Sequence, residues 1–302
     1  MNTYVIGHKS PDTDSIVSAI ALAVLLDATP ARAGELNKET EYLLARFGFS
    51  VPEMIPGDEK KVFLVDHNED SQIHENVKNG EISGVFDHHK LGGLSTSGPI
   101  KVDVWPVGAT ATLVTSLYQV SGVDLDREYA SLLMGAIISD TLNLTSPTTT
   151  DQDRQAVVSL GKIAELDIAE LAEQMFAAKS DISDISSAEL VGKDFKVFSL
   201  SGKAVGVGVW ETVLPQVVLD RKGELIELMK QKKAAESLDY IIFAVVDIAE
   251  GKATFIVPGE SELDLAEAAF GGKVTDGLLE REDMVSRKKQ VIPAIEKYLT
   301  AK

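Results

Sequence analysis

No cysteine occurs among the 302 residues. Disulfides, thiolate nucleophiles and Cys-ligated zinc are therefore excluded, and a cytoplasmic address is the expected one. No apolar run approaches the roughly 18–20 residues of a membrane span. The longest, Ile16–Leu26, is broken by Ser18 and ends at Asp27. The opening MNTYVIGHKSPDTD has no basic n-region, so no signal peptide is expected. Bases are scarce: 29 Lys and Arg stand against 47 Asp and Glu, a net charge of −18. A field of that sign repels nucleic acid and anionic membranes, so neither is an expected partner. An anionic substrate would need that field reversed locally, by bound cations or by clustered bases. There is no P-loop, no GxGxxG fingerprint and no Ser-His-Asp nucleophile elbow. The glycines of Gly206–Trp210, GVGVW, lack the GK[ST] of a P-loop and lie in an expected strand.

What is present points to an α/β chain long enough for two domains. Thr3–Gly7, Lys61–Asp66 and Glu81–Phe86 read as short apolar strands. Helical patterns fill Ile16–Leu26, Lys38–Phe47, Ala109–Val120 and Arg127–Ser139, and helix continues over Asp151–Lys179. Strands alternating with helices imply a parallel sheet. A Ser/Asp-rich stretch at Lys179–Ser187 reads as a boundary. Beyond it a new pattern begins: strands near Phe195–Leu200 and Ala204–Val209, a helix near Leu214–Glu236, and a hairpin Tyr240–Asp247 and Ala253–Val257 turning at Glu250-Gly251. A last helix follows Ser286–Gln290, SRKKQ.

The five histidines are His8, His67, His74, His88 and His89, and four of them lie at strand ends beside aspartates. A hydrogen-bonded core histidine is the usual account of one such residue, but it is a poor joint account of four. His74 lacks that neighbourhood and is expected at the surface. HKSPDTDS offers His8, Asp12 and Asp14 within one loop, a set suited to Mn²⁺, Co²⁺, Mg²⁺ or Fe. The same loop could be an Asx-rich turn with a helix cap at Asp14 or Ser15. Asp66 ends a strand and opens VDHNE, where a carboxylate can bridge two cations, although polar residues also end strands for no further reason. Asp87, His88, His89 and Lys90 follow the next strand, and adjacent histidines point in different directions. Asp140 ends a helix, where the dipole disfavours a carboxylate unless a cation is near. Two divalent ions sharing a water could bring it toward deprotonation near neutral pH, so that the hydroxide attacks phosphorus. Lys196, Arg287 and Lys288 are candidate phosphate-gripping bases, although SRKKQ alone would more often be a solvated helix face.

The ordered set HxxxDxD, DHN, DHH, SDT and SRKKQ resembles family II inorganic pyrophosphatases, of the DHH phosphoesterase superfamily. The resemblance spans essentially the whole chain. It implies an N-terminal parallel-sheet DHH domain (1–183), a hinge (184–192) and a smaller C-terminal α/β DHHA2-like domain (193–302), with the active site in the cleft between them. It implies that His8, Asp12 and Asp66 hold one metal, and Asp14, Asp66, His88 and Asp140 the other. His89, Lys196, Arg287 and Lys288 would contact the substrate, pyrophosphate. Implied cofactors are two Mn²⁺ or Co²⁺ per subunit, with Mg²⁺ accompanying the substrate. A homodimer is implied too, and no inserted regulatory nucleotide-binding module is seen. The competing readings are an exopolyphosphatase, an oligonucleotide or cyclic-dinucleotide phosphodiesterase of the same superfamily, and a non-catalytic metal-binding protein. Against the nuclease-like group, Ala269–Gly277 carries Lys273 where a GGGH-type motif has histidine.

Overall fold

A computed structural model describes residues 2–58, 60–78, 81–282 and 284–301. The chain forms two compact units, Met1–Lys179 and Ser180–Lys302. The first contains β1 (Asn2–Ile6), α1 (Thr13–Leu25), β2 (Thr29–Ala31), α2 (Lys38–Arg46), β3 (Lys60–Val65), β4 (Ile82–Asp87), β5 (Lys101–Val104), α3 (Thr110–Ser121), α4 (Arg127–Asp140), α5 (Asp151–Ala164) and α6 (Ile168–Lys179). All five strands are parallel, in the order β2-β1-β3-β4-β5. The chain crosses from β1 to one edge and then returns past β1 to build the other half. The carboxyl ends of β1 and β3 thus flank a topological switch point, where open parallel sheets bind ligands.

α1 is buried over nearly its whole length, and it packs on α3 and α4 in the main core. Its start differs from the expected Ile16. Asp12 takes the N-cap, its Oδ1 accepting from the Ser15 N–H at 3.0 Å, so the helix begins at Thr13 and carries Asp14 in its first turn. β2 and β5 went unread in the sequence; each is a short edge strand without a long apolar run.

The second unit comprises α7 (Ser187–Gly192), β6 (Phe195–Leu200), β7 (Lys203–Thr212), α8 (Gln216–Leu219), α9 (Lys222–Ala235), β8 (Tyr240–Asp247), β9 (Lys252–Ile256), α10 (Glu260–Phe270), β10 (Leu278–Glu282) and α11 (Ile292–Thr300). Its sheet runs β10-β9-β8-β7-β6, with β7 and β8 parallel and the other pairs antiparallel. GVGVW lies within β7. The single helix expected over Leu214–Glu236 is two, α8 and α9, separated at Asp220-Arg221. The stretch 184–192 is structured as part of this unit. Ser186 and Glu189 form a reciprocal capping box on α7, and Leu190 and Val191 are buried in the unit's core. The division between the units falls at Lys179 and Ser180 instead. Among the described residues, no helix is long and apolar enough to cross a membrane.

Candidate metal centre

Three loops beyond the carboxyl ends of β1, β3 and β4 meet the end of α4. They bring His8, Asp12, Asp14, Asp66, His88 and Asp140 together in the first unit. Ligand atoms of Asp14, Asp66, His88 and Asp140 lie within 4.8 Å of one another, as do those of His8, Asp12 and Asp66. Asp66 belongs to both groups. His8 Nε2 is 3.4 Å from Asp66 Oδ2 and 3.6 Å from Asp12 Oδ2. His88 Nε2 is 3.3 Å from Asp66 Oδ1 and 3.3 Å from Asp140 Oδ2.

Local backbone geometry aims these groups. Asp66 has φ +62°, a left-handed conformation that an aspartate adopts at some cost, and its N–H is tied to the Phe86 carbonyl at 3.0 Å. The strain turns the chain sharply as β3 ends and keeps the Asp66 carboxylate buried. Gly7 is required by close approach: a Cβ there would lie 1.7 Å from Ser15 Oγ. That hydroxyl accepts the His8 N–H at 3.2 Å and so fixes the start of the ligand loop. Asp14 sits at the N-terminus of α3, accepting from the Thr110 N–H at 2.6 Å and the Ala111 N–H at 2.8 Å. Thr110 Oγ1 donates to Asp66 Oδ1 at 3.0 Å.

Backbone carbonyls orient two of the histidines. His88 Nδ1 donates to the Val107 carbonyl at 3.0 Å, which turns Nε2 toward Asp66 and Asp140. His67 Nδ1 donates to the Val65 carbonyl at 2.8 Å. Both Nε2 atoms are buried without a hydrogen-bond partner. His89 differs, with its side chain 54% exposed and its Nδ1 donating to Asp87 Oδ1 at 2.9 Å. Asp87 is fully buried and also accepts from Asn68 Nδ2 and from the His88 and His89 N–H groups. Asn68 receives the Gly92 N–H and donates to the Lys90 carbonyl at 3.0 Å, tying the loop after β4 to that after β3. His74 is half-buried, not a free surface residue, and its Nδ1 accepts the Asn76 N–H at 3.1 Å.

Electrostatics show what the cluster wants. Burial pushes Asp14 up, and the neighbouring Asp66 and Asp140 carboxylates push it further. Burial, with Asp66 and Asp12 beside it, raises Asp140 to about 8. Burial would lower His8, but Asp12 and Asp66 outweigh it and raise it to about 10. His88 follows the same balance, with burial opposed by Asp66, Asp14 and Asp140, and also reaches about 10. Asp66 is the exception. Burial raises it, yet His8 and His88 together hold it well below the usual carboxylate range. A crowd of buried carboxylates that captures protons in this way is a site short of positive charge. Oxygen and imidazole donors around two adjacent positions fit hard or borderline divalent cations such as Mn²⁺.

A cavity of about 290 Å³ opens over this cluster, lined by His8, Asp12, Asp66, His67, Asn68, Glu69, Gln72, His89, Lys90 and Asp140. The bases expected to grip substrate lie in the second unit. Lys196 on β6 is 62% exposed and Lys288 is exposed. The Arg287 guanidinium is only 12% exposed; it donates to the Asp194 carbonyl at 2.7 Å and to Asp194 Oδ1 at 2.7 Å. Lys196 Nζ is 4.0 Å from the same Asp194 Oδ1, so both residues border one carboxylate. Thr110, Asn68 and Asp87 shape the site but went unassigned in the sequence. For Asn68 and Asp87 a signal existed, since each lies inside one of the DHN and DHH tripeptides.

The profile of the DHH family, N-terminal domain, matches residues 2–137, and that of the DHHA2 domain matches residues 173–298. The manganese-dependent inorganic pyrophosphatase of Methanothrix thermoacetophila is 40% identical, over 98% of this chain and 97% of its own length. That of Methanocaldococcus jannaschii is 40% identical over 97% of this chain and 98% of its own. A crystal structure from Methanococcus jannaschii, described as a family II inorganic pyrophosphatase, superposes with a TM-score of 0.64 at 39% identity, covering 99% of both chains. An exopolyphosphatase-related protein from Bacteroides fragilis reaches a TM-score of 0.52 at 14% identity, covering 99% of this chain and 93% of its own, a likeness of fold alone.

Proposed function

We propose that this chain, which belongs to the family of manganese-dependent inorganic pyrophosphatases, carries out its hydrolysis of pyrophosphate at the carboxylate–imidazole cluster of the first unit. His8, Asp12 and Asp66 would hold one divalent ion, and Asp14, Asp66, His88 and Asp140 a second. The observation that carries this reading is Asp66, which both groups of ligand atoms share. Bound there, two such ions supply a water of lowered pKa and offset the charge of the phosphoryl oxygens.

The chain's own residues do the rest. Val107 fixes the His88 tautomer, so that its lone pair is kept for a cation. Asp87, buried behind His89, raises that imidazole's pKa. That favours the protonated imidazole, whose Nε2–H would be donated to a phosphoryl oxygen of the substrate. Thr110 holds Asp66 by one oxygen and leaves the other toward His8. Lys196, Arg287 and Lys288 would grip pyrophosphate from the second unit, Arg287 by exchanging its bond to Asp194 for one to phosphate. The family reading extends to Co²⁺ as a substitute, to Mg²⁺ arriving with the substrate, and to a cytoplasmic homodimer.

Phosphate release after preincubation with Mn²⁺, assayed with Mg²⁺, tests the substrate. Pyrophosphate, tripolyphosphate and a dinucleotide are compared side by side. The reading expects rapid turnover of pyrophosphate and little of the others. Preference for tripolyphosphate or the dinucleotide would overturn it.

A further inference from the structure

Glu39 is fully buried in the first turn of α2, a helix that contributes no group to the cluster. Its Oε2 is a hub. Thr13 Oγ1 donates to it at 3.1 Å, Ser139 Oγ donates at 2.6 Å, and Lys179 Nζ lies 3.2 Å away. Thr13 stands between Asp12 and Asp14, and Ser139 directly precedes Asp140. One carboxylate therefore binds the neighbours of three candidate ligands, on two segments 100 residues or more apart in sequence. Lys179 is the last residue of the unit. Glu39 Oε1 is buried without a partner. Burying a carboxylate this incompletely satisfied is costly, and an apolar residue would pack there more cheaply. A residue kept at such a cost needs a reason beyond filling the core.

We propose that Glu39 is a positioning residue for the metal centre. It sets the distance between the Asp12–Asp14 loop at the start of α1 and Asp140 at the end of α4, with Lys179 neutralising it. This rests on the two-ion reading above. Groups that orient ligands from behind typically change metal affinity by about 10–100-fold when removed. The fixed distance matters most where both segments supply one ion, the position that takes Asp14 and Asp140.

Four proteins decide it: wild type, Ser139→Ala, Glu39→Ala and Glu39→Gln. Mn²⁺ binding is measured by calorimetry after chelator treatment, alongside thermal unfolding of the metal-free forms. Ser139→Ala removes one hydroxyl at the hub and is expected to weaken one Mn²⁺ site about tenfold, with little change in metal-free unfolding. Glu39→Ala should weaken the same site by about 100-fold. Glu39→Gln keeps an oxygen where Thr13 and Ser139 donate, and should restore affinity to within about threefold of wild type. Lowered unfolding temperatures with unchanged Mn²⁺ affinity in Ser139→Ala and Glu39→Ala would reduce Glu39 to a core lock and overturn the proposal. If Glu39→Ala does not fold, Ser139→Ala alone carries the test. Failure of wild type to bind two ions would instead refute the underlying two-ion reading.

Discussion

Metal uptake by this protein should expel protons, and their number follows from the structure. Without metal, His8 and His88 have pKa values of about 10, raised by the carboxylates crowded around them, and Asp140 about 8, raised by burial and by Asp66 and Asp12. Near neutral pH both imidazoles are then largely protonated and Asp140 is held toward its protonated form, whereas a ligand must give up its proton. Binding two Mn²⁺ should therefore release at least about two protons per chain, with Asp140 and Asp14 adding to that number. The product of the two binding constants should rise by at least about 100-fold per pH unit near neutral pH, in step with the protons released. Calorimetry in two buffers of different ionisation enthalpy counts the protons directly. The sign for stability follows from the same groups. All three folded-state values exceed the unfolded ones, so their stabilisation of the metal-free fold is present at low pH and lost as pH rises. Asp140's share disappears between about pH 4 and 8, and that of the histidines between about pH 6.5 and 10. Asp66, held low, acts in the opposite sense, and only below about pH 4. Metal-free protein should thus melt at progressively lower temperature from neutral to alkaline pH, while the Mn²⁺-loaded form changes far less. Release of less than about half a proton per ion, with affinity flat in pH, would refute the picture of a proton-filled cluster.

Replacing His89 with Ala should leave both ions bound, by elemental analysis, yet lower kcat about 100-fold or more, because the imidazole acts on substrate. The change Gly7→Ala places a methyl 1.7 Å from Ser15 Oγ. It should destabilise the fold by about 1–3 kcal/mol, measured by denaturant unfolding, and weaken Mn²⁺ binding as the His8 loop shifts. Truncating Arg287 to Ala should raise KM for pyrophosphate and lower kcat while metal content stays normal; unchanged steady-state kinetics would assign the residue to Asp194 alone.

The strand-end clusters were legible because they follow apolar runs, and a run that ends in acid and imidazole is unusual at three places at once. The helices of the first unit were legible from their apolar period, within a few residues at each end, except that the helical stretch expected over Asp151–Lys179 is two, α5 and α6, parted at Glu165. Edge strands were not. β5 is half-exposed and β10 reads LLERE, so neither shows the apolar signature of a central strand. Asp220-Arg221 gave no Gly or Pro signal for the break between α8 and α9. The Ser/Asp-rich stretch Lys179–Ser187 was legible as a boundary, and the division between the units falls inside it. Asp181 and Ser183 form a turn in it and Ser186 caps α7, so residues 184–192, the hinge that the family resemblance implied, are folded into the second unit.

Residues that act from behind the ligands were the hardest to read. Glu39 is one acid among 47, and on a short amphipathic helix it looks solvated. Its role exists only because tertiary folding brings Thr13, Ser139 and Lys179 to it. Thr110 is likewise an ordinary helix-start threonine until its N–H and hydroxyl meet Asp14 and Asp66.

The central claim is that one carboxylate, Asp66, is shared by two ions that together hydrolyse pyrophosphate. Anomalous diffraction from crystals grown with Mn²⁺ tests it most directly. Two peaks are predicted, one beside His8 and Asp12, the other beside Asp14, His88 and Asp140, each within bonding distance of an Asp66 oxygen. A single peak, or two peaks that do not both touch Asp66, would contradict the account.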